Sequence, residues 1–228
     1  MTGAPDYAVR VDGLVIAFGA FRAVDGISFE VPRGEIFGFL GANGAGKTTT
    51  IRALCGLLAP QSGSMSVAGI DVAASPAEVK KRTGYMSQKF TLYPDLTVRE
   101  NLEFAAALRK IPAAVFEKRC AELLEFVRFN RGLNELAGRL PGGIKQQVAL
   151  AAAVLHDPEI IFLDEPTAGV APGERRGFWK LIRALAAAGR TVFVTTHYMD
   201  EAEECGGIAL MHAGRIAALD SPAALKRA

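Results

Sequence analysis

The segment Gly41-Ala42-Asn43-Gly44-Ala45-Gly46-Lys47-Thr48 constrains this chain more than any other stretch. It has the spacing G-x-x-x-x-G-K-[ST], follows an apolar run (Glu35 to Leu40) that reads as a strand, and precedes a helical pattern over Thr49 to Leu58. Glycines let the backbone fold tightly enough for successive N–H groups to converge on phosphate oxygens. The helix behind them points its positive end at the same place. Lys47 supplies a mobile ammonium for the β- and γ-phosphates, and the Thr48 hydroxyl suits a Mg2+ ligand. A strand, a phosphate cradle and a helix in this order demand an α/β fold and point to nucleotide binding.

The rest of the chain is consistent with such a core. At 228 residues it suits one large domain or a core with a small subdomain, and half of its residues are hydrophobic. A net charge of +2 with both signs mixed leaves no nucleic-acid footprint, so no nucleic-acid partner is expected. Three widely spaced cysteines (Cys55, Cys120, Cys205) fit buried thiols in a reducing cytosol better than a disulfide or zinc site. Residues 1–10 carry no charged-then-apolar leader. The longest apolar stretch, Val148 to Leu155, falls far short of the ~20 residues that span a bilayer. The expectation is a chain that does not itself cross a membrane.

Val9 to Phe18 and Gly26 to Val31 read as strands, and a turn at Pro60 to Gly63 leads to a short strand, Ser64 to Val67. From Thr97 to about Val127 the pattern is helical, with Phe116, Cys120, Leu123, Leu124 and Val127 on one face. Another helix opens at Gly142-Gly143. The α/β alternation then resumes with strand Glu159 to Leu163, helix Pro172 to Ala188, strand Thr191 to Thr195, a short helix from Met199 to Glu204 and two closing strands. A helical insert, about Lys89 to Asp157, thus interrupts a parallel α/β core.

Ile160-Ile161-Phe162-Leu163 is a continuous apolar run that ends in Asp164-Glu165-Pro166. Such strands belong in the middle of a parallel sheet, and ligands gather at their carboxyl ends. Two adjacent acids there are costly unless they face a cation or polarise a water. Successive strand positions point to opposite sides, so the two acids take different roles. Asp164 serves Mg2+ through water, and Glu165 orients or deprotonates the attacking water. His197 follows the next strand, beside the expected γ-phosphate; His156 and His212 have no such setting and read as structural. The Gly142-Gly143 pair, at a helix start, is a second anion site.

These elements together resemble the ATP-binding cassette (ABC) ATPases over essentially the whole chain, about Val9 to Leu225. The phosphate loop, Gln88 after Gly84-Tyr85-Met86-Ser87, the run Leu140 to Gln147, Ile161 to Pro166 and His197 stand in that family's order. The runs Pro166 to Val170 and Thr195 to Glu203 look like the ATPase subunits of type-2 exporters, a group that handles drugs, lipids and polysaccharides. The resemblance implies a P-loop NTPase (RecA-like) α/β core with an antiparallel β subdomain and an inserted α-helical subdomain. The chain is then one domain over 1–228, with the core in 1–88 and 158–228 and the helical signature subdomain in 89–157. It implies ATP and Mg2+ as ligands, bound by Gly41, Asn43, Gly44, Ala45, Gly46, Lys47, Thr48, Thr49 and Asp164, with Thr48, Gln88 and Asp164 serving the metal. The catalytic set becomes Glu165, His197, Gln88 and Lys47. Phe18 resembles the aromatic that stacks on adenine, with a core role as the alternative. Gly142 and Gly143 resemble the element that binds the γ-phosphate held by an opposite subunit, which implies a second cassette, homo- or heterodimeric. Lys89 to Asn101 resembles the surface that receives a transmembrane permease, with Tyr93, Pro94 and Leu96 as its apolar content or as ordinary loop anchors. The location implied is peripheral, on the cytoplasmic face of the cell membrane.

Several positions depart from the family's pattern. Pro141 stands where Ser is usual, Gln147 where Arg is frequent, and Ala171 where Asp is usual. Ala42 replaces a common Pro, and Gly206-Gly207 a common Asp-Arg. Losing the Ser hydroxyl removes a hydrogen bond to a charged group, worth ~1.5–3 kcal/mol. The departures feed a second reading, an ATP-binding switch with weak hydrolysis. A third, a soluble ABC protein of DNA repair or ribosome work, lacks its coiled-coil, zinc or tandem features. The chain stops soon after the core, as one cassette of a longer or tandem polypeptide would.

Overall fold

The computed structural model describes residues 6–88 and 92–227. Two sheets and a set of helices build it. Strands β1 (Tyr7–Phe18) and β2 (Phe21–Pro32) form a long antiparallel hairpin, joined by β4 (Ser62–Val67) and β5 (Ile70–Asp71) in the order β2-β1-β4-β5. Val9 and Val11, and after a shift of register Leu14 and Ile16, point inward along β1, as a one-sided sheet requires. The second sheet has six strands in the order β10-β9-β3-β8-β7-β6. Its members are β3 (Ile36–Leu40), β6 (Thr83–Met86), β7 (Ile160–Asp164), β8 (Thr191–Thr196), β9 (Gly207–His212) and β10 (Arg215–Asp220). All pairings are parallel except that of β10 with β9.

Every residue of β7 and β8 is buried because both faces of this sheet are covered. One face packs against the antiparallel sheet through Phe29, Phe37, Phe39, Phe162 and Phe193. The Phe39 and Phe193 rings meet edge to face, with centroids 4.8 Å apart. Burying each such ring contributes about 1.5–3 kcal/mol. The other face carries α3 (Val98–Leu108), α4 (Ala113–Phe126), α5 (Gly142–Val154) and α6 (Pro172–Ala187).

The helical region expected from Thr97 to Val127 is two helices. Lys110 adopts a left-handed backbone (φ 54°) and Pro112 follows, so α3 ends and α4 starts afresh. Thr97 caps α3 in a reciprocal box with Glu100. Helix α1 (Lys47–Leu54) starts earlier and stops sooner than Thr49 to Leu58. Gly56 turns left-handed there (φ 65°), and a Cβ on it would lie 2.8 Å from that of Pro76. Pro76 begins α2 (Pro76–Arg82), a helix missing from the sequence reading although proline at the first helical position signals one. Short helices α7 (Met199–Ala202) and α8 (Pro222–Leu225) complete the chain, and β2 begins earlier than Gly26. Among the described residues no helix is long and apolar enough to cross a membrane. All three cysteines are buried free thiols, and burial pushes Cys205 up to about 12.

His156 follows α5, with Nε2 3.0 Å from the Thr83 carbonyl to which it donates. Burial first, and then the Arg109 charge, push this ring down to about 4. The unfolded chain therefore binds a proton that the folded chain refuses between about pH 6.5 and 4, so stability falls as pH drops through that window. Because His156 is only partly buried, the loss is held to about 1–2 kcal/mol. Urea melts at pH 7 and pH 5 should show a smaller acid loss for His156→Gln than for the parent chain.

Candidate active site

Reactive side chains collect where β3, β6, β7 and β8 end. Gly41 leaves β3, and a Cβ on it would lie 2.3 Å from the Met211 carbonyl oxygen. Gly46 precedes α1 with φ 107°, and a Cβ on it would lie 2.6 Å from the Ala23 carbonyl oxygen. Only glycine fits either position. Lys47 is buried, and its Nζ donates to the carbonyls of Gly41 at 2.7 Å and Ala42 at 3.1 Å. The same ammonium is 3.3 Å from Glu165 Oε1.

The two acids behave differently, but strand alternation is not the cause. Strand β7 ends at Asp164, and Glu165 takes a left-handed backbone (φ 48°) that swings its side chain toward the phosphate loop. Its amide donates to Thr195 Oγ1 at 2.9 Å, which pins the turn. Glu165 Oε2 accepts from Gln88 Nε2 at 2.9 Å and lies 3.5 Å from His197 Nδ1. Asp164 Oδ1 accepts from Thr48 at 2.9 Å and from Thr195 at 2.7 Å. Its Oδ2 is buried without a hydrogen-bond partner. Burial raises the Asp164 carboxyl above the usual range, against the pull of the Thr195 and Thr48 hydrogen bonds. An orphaned buried carboxylate oxygen beside a hydroxyl is a donor set that suits a hard divalent cation.

A cavity of about 430 Å³ opens over the loop, lined by Phe18, Phe21, Ala23, Asn43, Gly44, Gly46, Lys47, Thr48, Thr49, Gln88 and Glu165. Gly41, Ala45, Asp164 and His197 stand behind or beside this lining. Phe18 is the last residue of β1, outside the core and 55% exposed. Gly142 and Gly143 do open α5, but they are not part of this cavity. A Cβ at Gly143 would lie 2.8 Å from Glu174 Oε2, so a carboxylate from α6 faces the start of α5. Pro141 and Ala171 are the N-cap residues of α5 and α6, and neither supplies a side-chain cap.

Sequence reasoning missed a buried network behind the site. Glu201 accepts from Thr167 at 2.5 Å and from Thr196 at 2.7 Å, and Arg175 lies 3.8 Å away. The Arg175 guanidinium covers the Tyr198 ring at 4.3 Å, and that ring meets His197 with centroids 4.1 Å apart. His197 is thus held between its chain neighbour Tyr198 and Glu165, and only Arg175, which backs the Tyr198 ring, comes from a segment outside the motifs. Phe21 was missed as well, although its apolar side chain two residues after Gly19 was legible.

Comparison with known proteins follows the same lines. The family described as ABC transporter matches residues 24–168. The chain is 43% identical over 218 residues to the probable multidrug ABC transporter ATP-binding protein YbhF of Escherichia coli, covering 96% of this chain and 38% of that one. It therefore spans well under half the length of that relative. It is 39% identical to the Nod factor export ATP-binding protein I of Paraburkholderia xenovorans, covering 97% of this chain and 73% of the relative. A solved ATP-binding subunit of an ABC transporter superposes with a TM-score of 0.85 at 30% identity, covering 96% of this chain and 92% of that one. CbiO1 of Clostridium perfringens, part of the CbiONQ transporter complex, does so with a TM-score of 0.88 at 26% identity, covering 97% and 91%.

Proposed function

The chain belongs to the ABC transporter family, and we propose that it hydrolyses ATP to drive a membrane exporter. The observation that carries this reading is the convergence of Lys47, Gln88 and His197 on one carboxylate, Glu165, at the rim of a phosphate-binding cavity. The loop amides and Lys47 hold the β- and γ-phosphates. Glu165 accepts a proton from a water whose oxygen attacks the γ-phosphorus. The bond to the β–γ bridging oxygen breaks, and its electrons leave with ADP. Gln88 orients that water through its hydrogen bond to Glu165, and His197 donates to the γ-phosphoryl oxygens, where charge develops. Thr48, Asp164 and Gln88 would hold Mg2+, which neutralises phosphate charge when bound.

A second cassette completes the reading. Gly142 and the Pro141 cap are exposed and outside the chain's own cavity, which supports a composite site in which α5 of one copy meets the nucleotide of another. The subdomain division at 89–157 follows from the same reading. So does a peripheral location on the cytoplasmic face of the membrane. A permease surface draws support from Tyr93, whose half-exposed ring stacks edge-on against Phe104 at 5.0 Å. Leu108 is exposed close by, beside a groove of about 940 Å³. Residues 89–91 of the expected surface lie outside the described residues. Export follows the printed names of the relatives, and the transported substrate is not written in this chain. Phosphate release measured with and without a co-expressed membrane subunit tests the proposal. Mg2+-dependent release, raised by the subunit, is expected; none in either preparation overturns it.

The uncapped starts of α5 and α6 favour a slower enzyme, closer to an ATP-operated switch. Restoring Pro141→Ser and Ala171→Asp should leave the ATP affinity of the single chain unchanged and raise dimerisation or turnover. The Asp should add about 1 kcal/mol of stability as a helix cap. Turnover that falls in both reversions would mean these departures are adaptations.

A further inference from the structure

We propose that Phe21 is a second base-contacting residue, which takes the purine of the bound nucleotide from the side that Phe18 leaves open. The inference rests on the nucleotide reading of the cavity and extends it to a residue outside every motif. Phe21 is the first residue of β2 and pairs directly with Phe18 across the hairpin turn. Directly opposed residues send their side chains to the same face of a sheet, about 5 Å apart at Cβ. Both side chains line the cavity over the phosphate loop. Among the described residues neither ring stacks on another aromatic, so each presents an unoccupied π-face.

The fold does not need this ring. The inward residues of β2 are Ala23, Val24, Ile27, Phe29 and Val31, all buried, whereas Phe21 is 64% exposed. A single exposed apolar residue is ordinary. Two phenylalanines paired at the mouth of a phosphate-binding cavity are a different matter, because a flat heterocycle attached to that phosphate must pass between or over them. The polar lining residues (Asn43, Lys47, Thr48, Thr49, Gln88, Glu165) belong to the loop, the start of α1 and the ends of β6 and β7, and the hairpin side offers Phe18, Phe21 and Ala23. The base end of the cavity is therefore apolar and aromatic, a surface that binds by stacking.

The test compares ATP with inorganic tripolyphosphate, which carries the charge but no base. Calorimetry on the whole chain should show Phe21→Ala weakening ATP binding about 5- to 100-fold, the range expected when one base-stacking ring is removed. Tripolyphosphate binding should be unchanged, and Phe21→Tyr should restore ATP affinity. The melting temperature of Phe21→Ala should match the parent, as suits an exposed position. Equal ATP affinity in the parent and Phe21→Ala overturns the inference while leaving the nucleotide site intact. So does an equal loss for ATP and tripolyphosphate, which would make Phe21 a structural support of the loop. A parent chain that binds neither ligand, or binds ATP regardless of Lys47, overturns the nucleotide reading itself.

Discussion

Glu165→Gln binds ATP as tightly as the parent chain and hydrolyses it at least about 100-fold more slowly, the loss that follows from removing a general base. The amide has the size of the carboxylate, keeps an oxygen to accept the Gln88 hydrogen bond, and cannot take the proton of water. If, as proposed, a second cassette completes the site, with binding closing the pair and cleavage opening it, blocked hydrolysis should also hold two chains together in the presence of ATP. Single-turnover phosphate release measures the first effect and sedimentation with ATP the second. A variant that hydrolyses within a few-fold of the parent would remove Glu165 from its role and shift attention to His197.

Lys47→Ala loses both nucleotide affinity and stability, and the two losses part company in a double variant. The ammonium makes charge-assisted contacts worth about 1.5–3 kcal/mol each, so ATP binding should weaken by roughly 10- to 100-fold. Lys47 and Glu165 are also a buried ion pair, their side chains 3% and 4% exposed. Removing one member of such a pair costs about 3–5 kcal/mol because the other charge is left buried. Gln88 and His197 still face Glu165, which holds the cost to the low end of that range. Lys47→Ala combined with Glu165→Gln removes both charges and should recover most of the stability in urea melts. ATP affinity should stay low. Strictly additive stability losses would mean the pair is not coupled.

Elements whose chemistry sits in contiguous residues were legible in the sequence. The phosphate loop, the apolar strand ending in Asp164-Glu165 and the glycine pair opening α5 declare themselves by spacing and residue type. The helix boundaries were harder, because they depend on contacts distant in sequence: α1 stops where Gly56 meets Pro76. The break before α4 was readable in Ile111-Pro112 and was overridden by the strong apolar period around it. The different surroundings of Asp164 and Glu165 were anticipated for a reason that does not operate, since a left-handed turn and not strand alternation separates them. Glu201 with Thr167, Thr196 and Arg175 could not have been found from spacing. A buried acid is recognisable only once the hydroxyls that satisfy it have been brought from other segments.

The order of strands in the parallel sheet has a consequence for how the chain comes into being. The loop leaves β3, yet β3 is flanked by β8 and β9, with Ile36 opposite Val192 and Phe37 opposite Gly207. On the ribosome the lysine emerges long before the strands that brace it, and such distant pairings form slowly. A nascent chain that has just released Lys47 therefore carries the nucleotide signature without Glu165 or His197. On the proposed reading, the centre that spends fuel exists only in the completed fold, and half-made copies should stay silent.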